Sequence, residues 1–132
     1  MITHLLDTDV CIVALKKRDQ RLLEKLKMFE QVAAVSSVSV YELYFGAEGY
    51  EDAPRRKGVL RDFLGRFPIL AFDTAGARRA AEIRFTLETA GKGIGSHDTL
   101  IAATALEHDL TLISGNIREF SRIKGLKQES WR

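Results

Sequence analysis

The chain of 132 residues has a single cysteine, two prolines and one tryptophan. One cysteine cannot form a disulfide within the chain, which excludes the cross-linked scaffolds of small secreted proteins. No apolar run approaches the ~20 residues of a membrane-spanning helix. The N-terminus lacks a basic leader, and His4 and Asp7 interrupt its short apolar stretch. We therefore expect no signal peptide and a cytoplasmic protein.

Strong net charge and cofactor signatures are also lacking. The net charge is +2, and 45% of the residues are hydrophobic and 29% charged, which is typical of one globular domain spanning residues 1–132. The sequence has no His and Cys pairs with zinc-binding spacing, no P-loop and no dinucleotide-binding glycine motif. His4 and His108 are accordingly interpreted as structural residues. Any metal chemistry must use oxygen ligands.

Short apolar runs alternate with helical patterns along the chain. Strands are predicted at 2–6, 32–37, 69–72, 110–113 and 126–130. Helices are predicted at 8–17, 19–29, 39–49, 54–66, 74–90, 97–108 and, for one turn, 118–122. The expected helix caps are Thr8, Ser39, Thr74 and Ser96. This alternation predicts an α/β fold, a three-layer α/β/α sandwich with a small, mainly parallel sheet of about five strands.

Three acidic residues lie near predicted strand ends or helix starts. Asp7 follows the first strand, Glu42 lies one turn into the helix after the second strand, and Asp98 occupies the second position of its helix. In an open parallel sheet these positions converge on the edge where ligands bind. Carboxylates gathered there repel one another unless a cation neutralises them, and such oxygen ligands suit Mg²⁺ or Mn²⁺. The pattern predicts a metal site formed by Asp7, Asp98 and Glu42.

Each acidic residue also has a plain structural interpretation. Asp7 could cap the following helix, although Thr8 could take that role instead. Asp9 is interpreted as structural, because the helix dipole favours a negative charge at a helix start. Glu42 could be an ordinary surface residue, but its apolar neighbours, such as Leu43, argue against a fully solvated face.

The loop after strand 110–113 carries Asn116 and Glu119 and belongs to the same predicted sheet edge. Asn116 could hydrogen-bond a water of the metal site and Glu119 could add negative charge, or both could be turn residues. Basic groups occur at 16–18, 55–57, 78–79, Arg118, Arg122, Lys124 and Lys127. These groups could hold a phosphodiester backbone or simply be solvated helix faces.

Four segments match, in order, the motifs of a known family. LLDTDVCI resembles its opening Leu-Asp-Thr-Asn-x-x-Ile, and SSVSVYELYFGAE resembles its Ser-x-x-Thr-x-x-Glu-Leu-x-x-Gly segment. IGSHDTLIAATALEHDLTLIS resembles its Asp-x-x-Ile-Ala-Ala stretch and following strand, and SGNIREFSRIKGL resembles its Thr-x-Asn-x-x-(Glu/Asp)-Phe-x-x-x-x-Gly-Leu ending. Across essentially its whole length the chain therefore resembles the PIN-domain ribonucleases, and more narrowly the VapC toxins of bacterial type II toxin–antitoxin modules.

The resemblance implies an endoribonuclease that uses Mg²⁺ or Mn²⁺ to cleave structured RNA such as tRNA or rRNA. It assigns Asp7, Glu42 and Asp98 to the acidic triad. Asn116 stands where many members carry a fourth aspartate, which leaves one or two metals open. The implied partners are a small VapB-type antitoxin and a second copy in a homodimer. The surface expected for self-association comprises Leu22, Leu26, Val59 and Phe63.

Two other functions are compatible with a small α/β domain. A catalytically inert PIN-fold binding module would keep the fold without cleaving RNA. A receiver-like signalling domain fits less well, because no aspartate follows strand 32–37 and no lysine follows strand 110–113.

Overall fold

Five short strands form one sheet between two layers of helices in the computed structural model, which describes all of residues 1–132. The strands are β1 (His4–Leu6), β2 (Ala33–Ser36), β3 (Ile69–Leu70), β4 (Thr111–Ile113) and β5 (Gln128–Glu129). They lie in the order β3-β2-β1-β4-β5, and every neighbouring pair is parallel. The predicted α/β sandwich with about five parallel strands is confirmed.

Seven α-helices cover the sheet. They are α1 (Thr8–Leu15), α2 (Gln20–Phe29), α3 (Ser37–Glu48), α4 (Ala53–Leu64), α5 (Thr74–Thr89), α6 (Ser96–Glu107) and α7 (Ile117–Phe120). Helices α1, α2 and α4 contribute side chains to one apolar core, α5 and α6 contribute to another, and α3 contributes to both. No helix is both long and apolar enough to cross a membrane.

Strands β1 and β4 each contribute side chains to both apolar cores. In β1, Leu5 packs with the α5–α6 side and Leu6 with the α1–α4 side, and Leu112 and Ile113 divide in the same way in β4. All four side chains are fully buried. A parallel sheet that is covered on both faces needs continuous apolar runs of this kind, and the alternation fixes the register of β1 against its neighbours.

The order of the strands places a crevice at one edge of the sheet. The chain runs from β1 to β2 and β3 on one side, and then returns to β4 and β5 on the other. The carboxyl ends of β1 and β4 are therefore neighbours at the point where the order reverses. Ligands of open α/β sheets bind at such points.

The predicted helix caps are wrong. Thr8, Ser39, Thr74 and Ser96 all lie inside their helices. Asp7, Ser36 and Asp73 are the actual caps of α1, α3 and α5, because each still has extended backbone and its side chain accepts a hydrogen bond from a free N–H of the first turn. Gly95 precedes α6. Asp98 is consequently the third helical residue and not the second.

The strands are also shorter than predicted. Strand β3 has only two paired residues, Ile69 and Leu70, which face Val35 and Ser36 of β2. Helix α3 begins at Ser37, so β2 offers no further partner backbone to β3.

The surface predicted for self-association is wrong. Leu22, Leu26 and Phe63 belong to the core on the α1–α4 side and are at most 8% exposed. Only Val59 remains exposed. Helices α2 and α4 bury their apolar faces against the same side of the sheet as α1, which the spacing of leucines along one helix cannot reveal. A homodimer remains a prediction.

His4 and Cys11 have structural environments. The His4 ring lies 4.9 Å from the ring of Phe29 and 5.6 Å from that of Trp131, centroid to centroid. Burial lowers the pKa of His4 and raises the pKa of the Cys11 thiol, so burial favours the neutral form of each side chain. His108 follows the last turn of α6, at the end opposite to Asp98. The structural interpretation of His4 and His108 agrees with these positions.

Replacing Trp131 with alanine is expected to lower the free energy of unfolding by ~3–5 kcal/mol, the usual cost of emptying a buried aromatic site. Trp131 is 1% exposed and stacks on Phe29. Urea denaturation followed by circular dichroism measures the change. Phe85→Ala is the control, because Phe85 is 73% exposed, and it should change stability by less than about 0.5 kcal/mol. Equal effects of the two substitutions would contradict the assignment of Trp131 to the core.

Candidate active site

The predicted acidic residues meet at the crevice between β1 and β4. Asp7 follows β1 directly, and its N–H donates to the carbonyl of Ile113 at the end of β4. Glu42 comes from α3 and Asp98 from the first turn of α6. Helices α1 and α3 begin directly after the carboxyl ends of β1 and β2, whereas α6 begins after the loop that follows α5. The sheet thus gathers side chains that lie far apart in the sequence.

Asp7 is both a helix cap and a member of the acidic group. Its side chain is buried, and Oδ1 accepts a hydrogen bond of 2.8 Å from the N–H of Thr8. Oδ2 accepts one of 2.8 Å from the hydroxyl of Ser114, the residue that follows β4. The two interpretations of Asp7 are therefore compatible, because each oxygen has its own donor.

Glu42 is held by polar contacts with side chains from two other helices, α1 and α6. Its Oε1 accepts a hydrogen bond of 2.6 Å from the hydroxyl of Thr8, and its Oε2 lies 3.2 Å from Nδ1 of His97. Thr8 Oγ1 also lies 2.8 Å from Ser39 Oγ. An ionised carboxylate only accepts, so the proton of Thr8 goes to Glu42 and Ser39 can donate to Thr8. Glu42 is therefore held in place and is not a freely solvated surface residue.

Asp9 also lies in the crevice. Its Oδ2 accepts a hydrogen bond of 3.2 Å from the N–H of Gly115, while its Oδ1 is buried without any hydrogen-bond partner. A Cβ atom on Gly115 would lie 3.0 Å from Oδ2 of Asp9 and 3.0 Å from Nη1 of Arg132, so only glycine fits there without a shift. The hydrogen bond from Gly115 ties the loop after β4 to the start of α1, which is a structural role for Asp9, and the unpartnered Oδ1 could in addition bind a cation.

Asp98 and Asn116 complete the predicted set. Asp98 is half-buried, and its Oδ2 lies 3.5 Å from the position that a Cβ of Gly95 would take. Asn116 donates through Nδ2 to Oε2 of Glu119 at 3.2 Å, and its backbone N–H donates to Oγ of Ser114 at 2.9 Å. The structure brings Asp7, Glu42, Asp98 and Asn116 to one edge of the sheet. Their catalytic roles remain predictions.

Burial, together with the crowding of negative charge, raises two pKa values in this site. Burial, reinforced by the charges of Asp9 and Asp98, raises the pKa of Asp7 to about 7. Burial raises the pKa of Asp98 above its ordinary value as well, and the charges of Glu42, Glu119 and Asp9 act in the same direction. Like charges that share a partly desolvated site disfavour ionisation, so a cation would relieve this repulsion.

The site is open, and it is not a closed metal cage. No three His, Cys, Asp or Glu side chains stand close enough together to enclose an ion by themselves. Mg²⁺ does not require such a cage, because it usually keeps several waters and binds through one or two carboxylates. The unpartnered buried Oδ1 of Asp9 and the mutual repulsion of Asp7 and Asp98 fit a hard cation.

Sequence reasoning missed four polar contributors to this site, namely Thr8, Asp9, His97 and Ser114. Asp9 and His97 stand next to or near a predicted acidic residue in the sequence, and that adjacency was the available signal. Ser114 and Asp7 are 107 residues apart, and nothing local in the sequence links them.

Comparison with known proteins decides the family. The model of the PIN domain matches residues 4–126. The chain belongs to the PIN-domain family. Ribonuclease VapC2 of Haemophilus influenzae is 38% identical to this PIN domain over 131 residues, which cover 99% of each chain. The tRNA(fMet)-specific endonuclease VapC of Shigella flexneri is 33% identical over the same share of both chains.

A solved structure agrees with these relatives. The crystal structure of DNA-bound VapBC from Salmonella typhimurium contains a chain that superposes on this PIN domain with a TM-score of 0.95 and 32% identity, covering 100% of both chains. The family resemblance stated from the four motifs is thereby confirmed, and the chain belongs among the VapC ribonucleases. The receiver-like alternative is wrong.

The raised pKa of Asp7 predicts a distinctive pH dependence for the metal-free PIN domain. As pH rises from about 4 to about 7, the unfolded chain loses the Asp7 proton while the folded chain keeps it, so stability falls across this window. Each unit of raised pKa corresponds to about 1.4 kcal/mol. Asp7→Asn cannot ionise and should lose less stability than the wild type over the same range.

Urea denaturation in EDTA at several pH values tests this expectation. Asp62→Asn is the control, because the Asp62 side chain is 76% exposed on α4, and its curve should follow that of the wild type. Parallel curves for all three proteins would show that the Asp7 carboxyl titrates normally.

Proposed function

We propose that this VapC-family protein is a metal-dependent endoribonuclease toxin that cleaves structured RNA and is neutralised by a VapB-type antitoxin. The observation that carries the proposal is the convergence of Asp7, Asp9 and Asp98 at the crevice between β1 and β4, with Glu42 held beside them. Carboxylate oxygens are the ligands that Mg²⁺ and Mn²⁺ prefer, and these cations assist the hydrolysis of phosphodiester bonds.

The residues divide into holding and orienting roles. One or two of Asp7, Asp9 and Asp98 would bind the cation directly, and waters would complete its coordination. When bound, the cation would neutralise charge at the phosphate and lower the pKa of water. Glu42 is fixed by Thr8 and His97, so it is suited to orient the attacking water. Asn116 and Glu119 hold each other and would support the site from its border.

The substrate is proposed to be tRNA or rRNA, with tRNA as the first to test. The relative from Shigella flexneri is named a tRNA(fMet)-specific endonuclease and matches this chain from end to end. One in three residues is identical, which supports a related substrate class. It does not identify the individual RNA or the bond that is cut.

A basic pocket beside the acidic site supports binding of an RNA backbone. Lys16, Arg18 and Arg132 line an open cavity of about 550 Å³, together with Asp19, whose Oδ2 lies 3.9 Å from Nε of Arg132. Arg132 also reaches Gly115, where Asp9 is bound. Arg132 therefore connects the lining of this pocket to the loop that binds Asp9. Phosphates held there would be positioned without any reading of the base sequence.

A second cavity supports an antitoxin partner. It measures about 470 Å³ and lies between α1, α3 and α4, and its lining includes the apolar Leu43, Val59 and Leu60 and the basic Arg55. Glu42 also lines this groove. The solved relative from Salmonella typhimurium is a VapBC assembly. We propose that an apolar antitoxin segment with acidic residues fills the groove and covers Glu42.

Cleavage of tRNA should require Mg²⁺ or Mn²⁺ and stop in EDTA. Asp98→Asn should lower the rate by roughly a hundredfold or more, since several kcal/mol of transition-state charge stabilisation depend on the cation. Gel assays of labelled tRNA and rRNA measure the rates, with Asp62→Asn as a control that should retain wild-type activity. An inert binding module would bind RNA but cut none of it. Wild-type activity of Asp98→Asn would refute the assigned site.

The positive charges of the basic pocket should contribute to the affinity of the protein for RNA. In the Asp98→Asn background, Arg18→Gln should weaken RNA binding and reduce the slope of log K against log salt by about 0.7–1, the value for one lost phosphate contact. Fluorescence anisotropy at several salt concentrations measures both. Lys27→Gln removes an equal charge from the exposed surface of α2 and should leave affinity and slope unchanged. Identical behaviour of the two variants would exclude a local role for the pocket.

A further inference from the structure

A strip of aromatic rings lies on the outer surface of α3 and reaches the start of α6. Tyr41 is 57% exposed and Phe45 is 70% exposed, and their rings are nearly parallel, with an interplanar angle of 20° and centroids 6.4 Å apart. The ring of His97 meets Tyr41 edge to face at 5.5 Å. Three rings thus stand side by side in solvent.

The strip is continuous with the proposed active site. His97 touches Tyr41 on one side and, through Nδ1, lies 3.2 Å from Oε2 of Glu42 on the other. His97 also directly precedes Asp98 in α6. A nucleotide chain that passes the acidic residues with one of its phosphates would therefore bring a flanking base to the rings.

Exposed aromatic rings beside a site that would cleave phosphodiester bonds are suited to bind the unpaired bases of a nucleic acid. Unpaired bases stack on Tyr, Phe and His rings, and this contact is tolerant of sequence because every base has a π-face. Bases inside a duplex are already stacked on their neighbours and cannot use such a surface.

We propose that Tyr41, Phe45 and His97 form a subsite for an unpaired RNA base beside the bond that is cleaved. This inference rests on the proposed ribonuclease function and deepens it, because it restricts cleavage to loops and single-stranded segments. The rings supply stacking area, and His97 links that area to Glu42.

RNA suits this surface better than a second protein copy. The strip borders Glu42 and Asp98, whose charges a protein interface would remove from water at a high cost. A single-stranded nucleic acid can cover the rings and leave the carboxylates accessible to water and a cation. Phe85, on α5, is as exposed as Phe45 but has no aromatic ring against it.

The test measures binding apart from cleavage. A short RNA hairpin with the fluorescent base 2-aminopurine in its loop is titrated with the Asp98→Asn protein, and stacking should quench the fluorescence. Adding Tyr41→Leu or Phe45→Leu should weaken binding between about 5-fold and 150-fold, as expected for ~1–3 kcal/mol of stacking per base. Both should also reduce the quenching. Tyr41→Trp keeps an aromatic face and should retain both.

Phe85→Leu is the matched control and should change neither affinity nor quenching. A fully paired RNA of the same length should bind equally to all variants, since it presents no free base. Melting temperatures close to that of the Asp98→Asn parent would show that the variants fold. Unchanged loop binding by Tyr41→Leu and Phe45→Leu would overturn the subsite.

Two further outcomes separate the subsite from the function and from a dimer. If the wild type cleaves no RNA while Tyr41→Leu still loses loop binding, the subsite stands and the enzymatic proposal fails. If the wild type cleaves RNA and Tyr41→Leu has the same KM, the enzyme stands and the subsite fails. Light scattering that shows a dimer broken by Tyr41→Leu, with affinity for RNA unchanged, would assign the strip to a second copy instead.

Discussion

The site depends on the buried carboxylate of Asp7 at the end of the central strand. One of its oxygens accepts from the first N–H of α1 and the other accepts from the hydroxyl that follows β4. The side chain therefore fixes where α1 starts and ties the loop after β4 to that start. Asp9 then meets Gly115 across the same junction. A group with this role cannot be exchanged for an apolar residue, because both donors would lose their acceptor in a buried place.

The cost of this arrangement is electrostatic. Burial and the acidic neighbours disfavour the ionised forms of Asp7 and Asp98. Two apolar cores, one on each face of the sheet, hold the carboxylates together in spite of this repulsion. The stability that the two cores provide thus offsets the destabilisation caused by this concentration of negative charge. Such strain is typical of sites whose geometry serves a ligand.

The fold could be predicted because its signal is local. Apolar runs and helical spacing gave the order of the elements, and the carboxyl ends of the strands gave the edge where Asp7, Glu42 and Asp98 meet. The helix caps were misplaced because several neighbouring residues could each cap, and backbone conformation decides among them. Leu22 and Leu26 were assigned to the surface because one helix does not show which of its neighbours covers it.

The contacts within the site were much less predictable. Thr8 and His97 act through Glu42, and Asp9 acts through the backbone of Gly115. These partners are near in space but come from separate segments. A single sequence carries no record of such pairings, whereas the acidic residues were recognisable because each lies near a strand end or helix start that a parallel sheet brings to one edge.

The separation of 107 residues between Asp7 and Ser114 has a consequence for a toxic enzyme as it is made. A ribosome releases Asp7 early, but the loop that holds its second oxygen emerges only after β4 has been synthesised. The central strand also lies between β2 and β4, so the crevice has only one wall until β4 is added. A nascent or prematurely ended chain that lacks β4 therefore lacks the assembled pocket, and the activity can arise only after β4 has been synthesised.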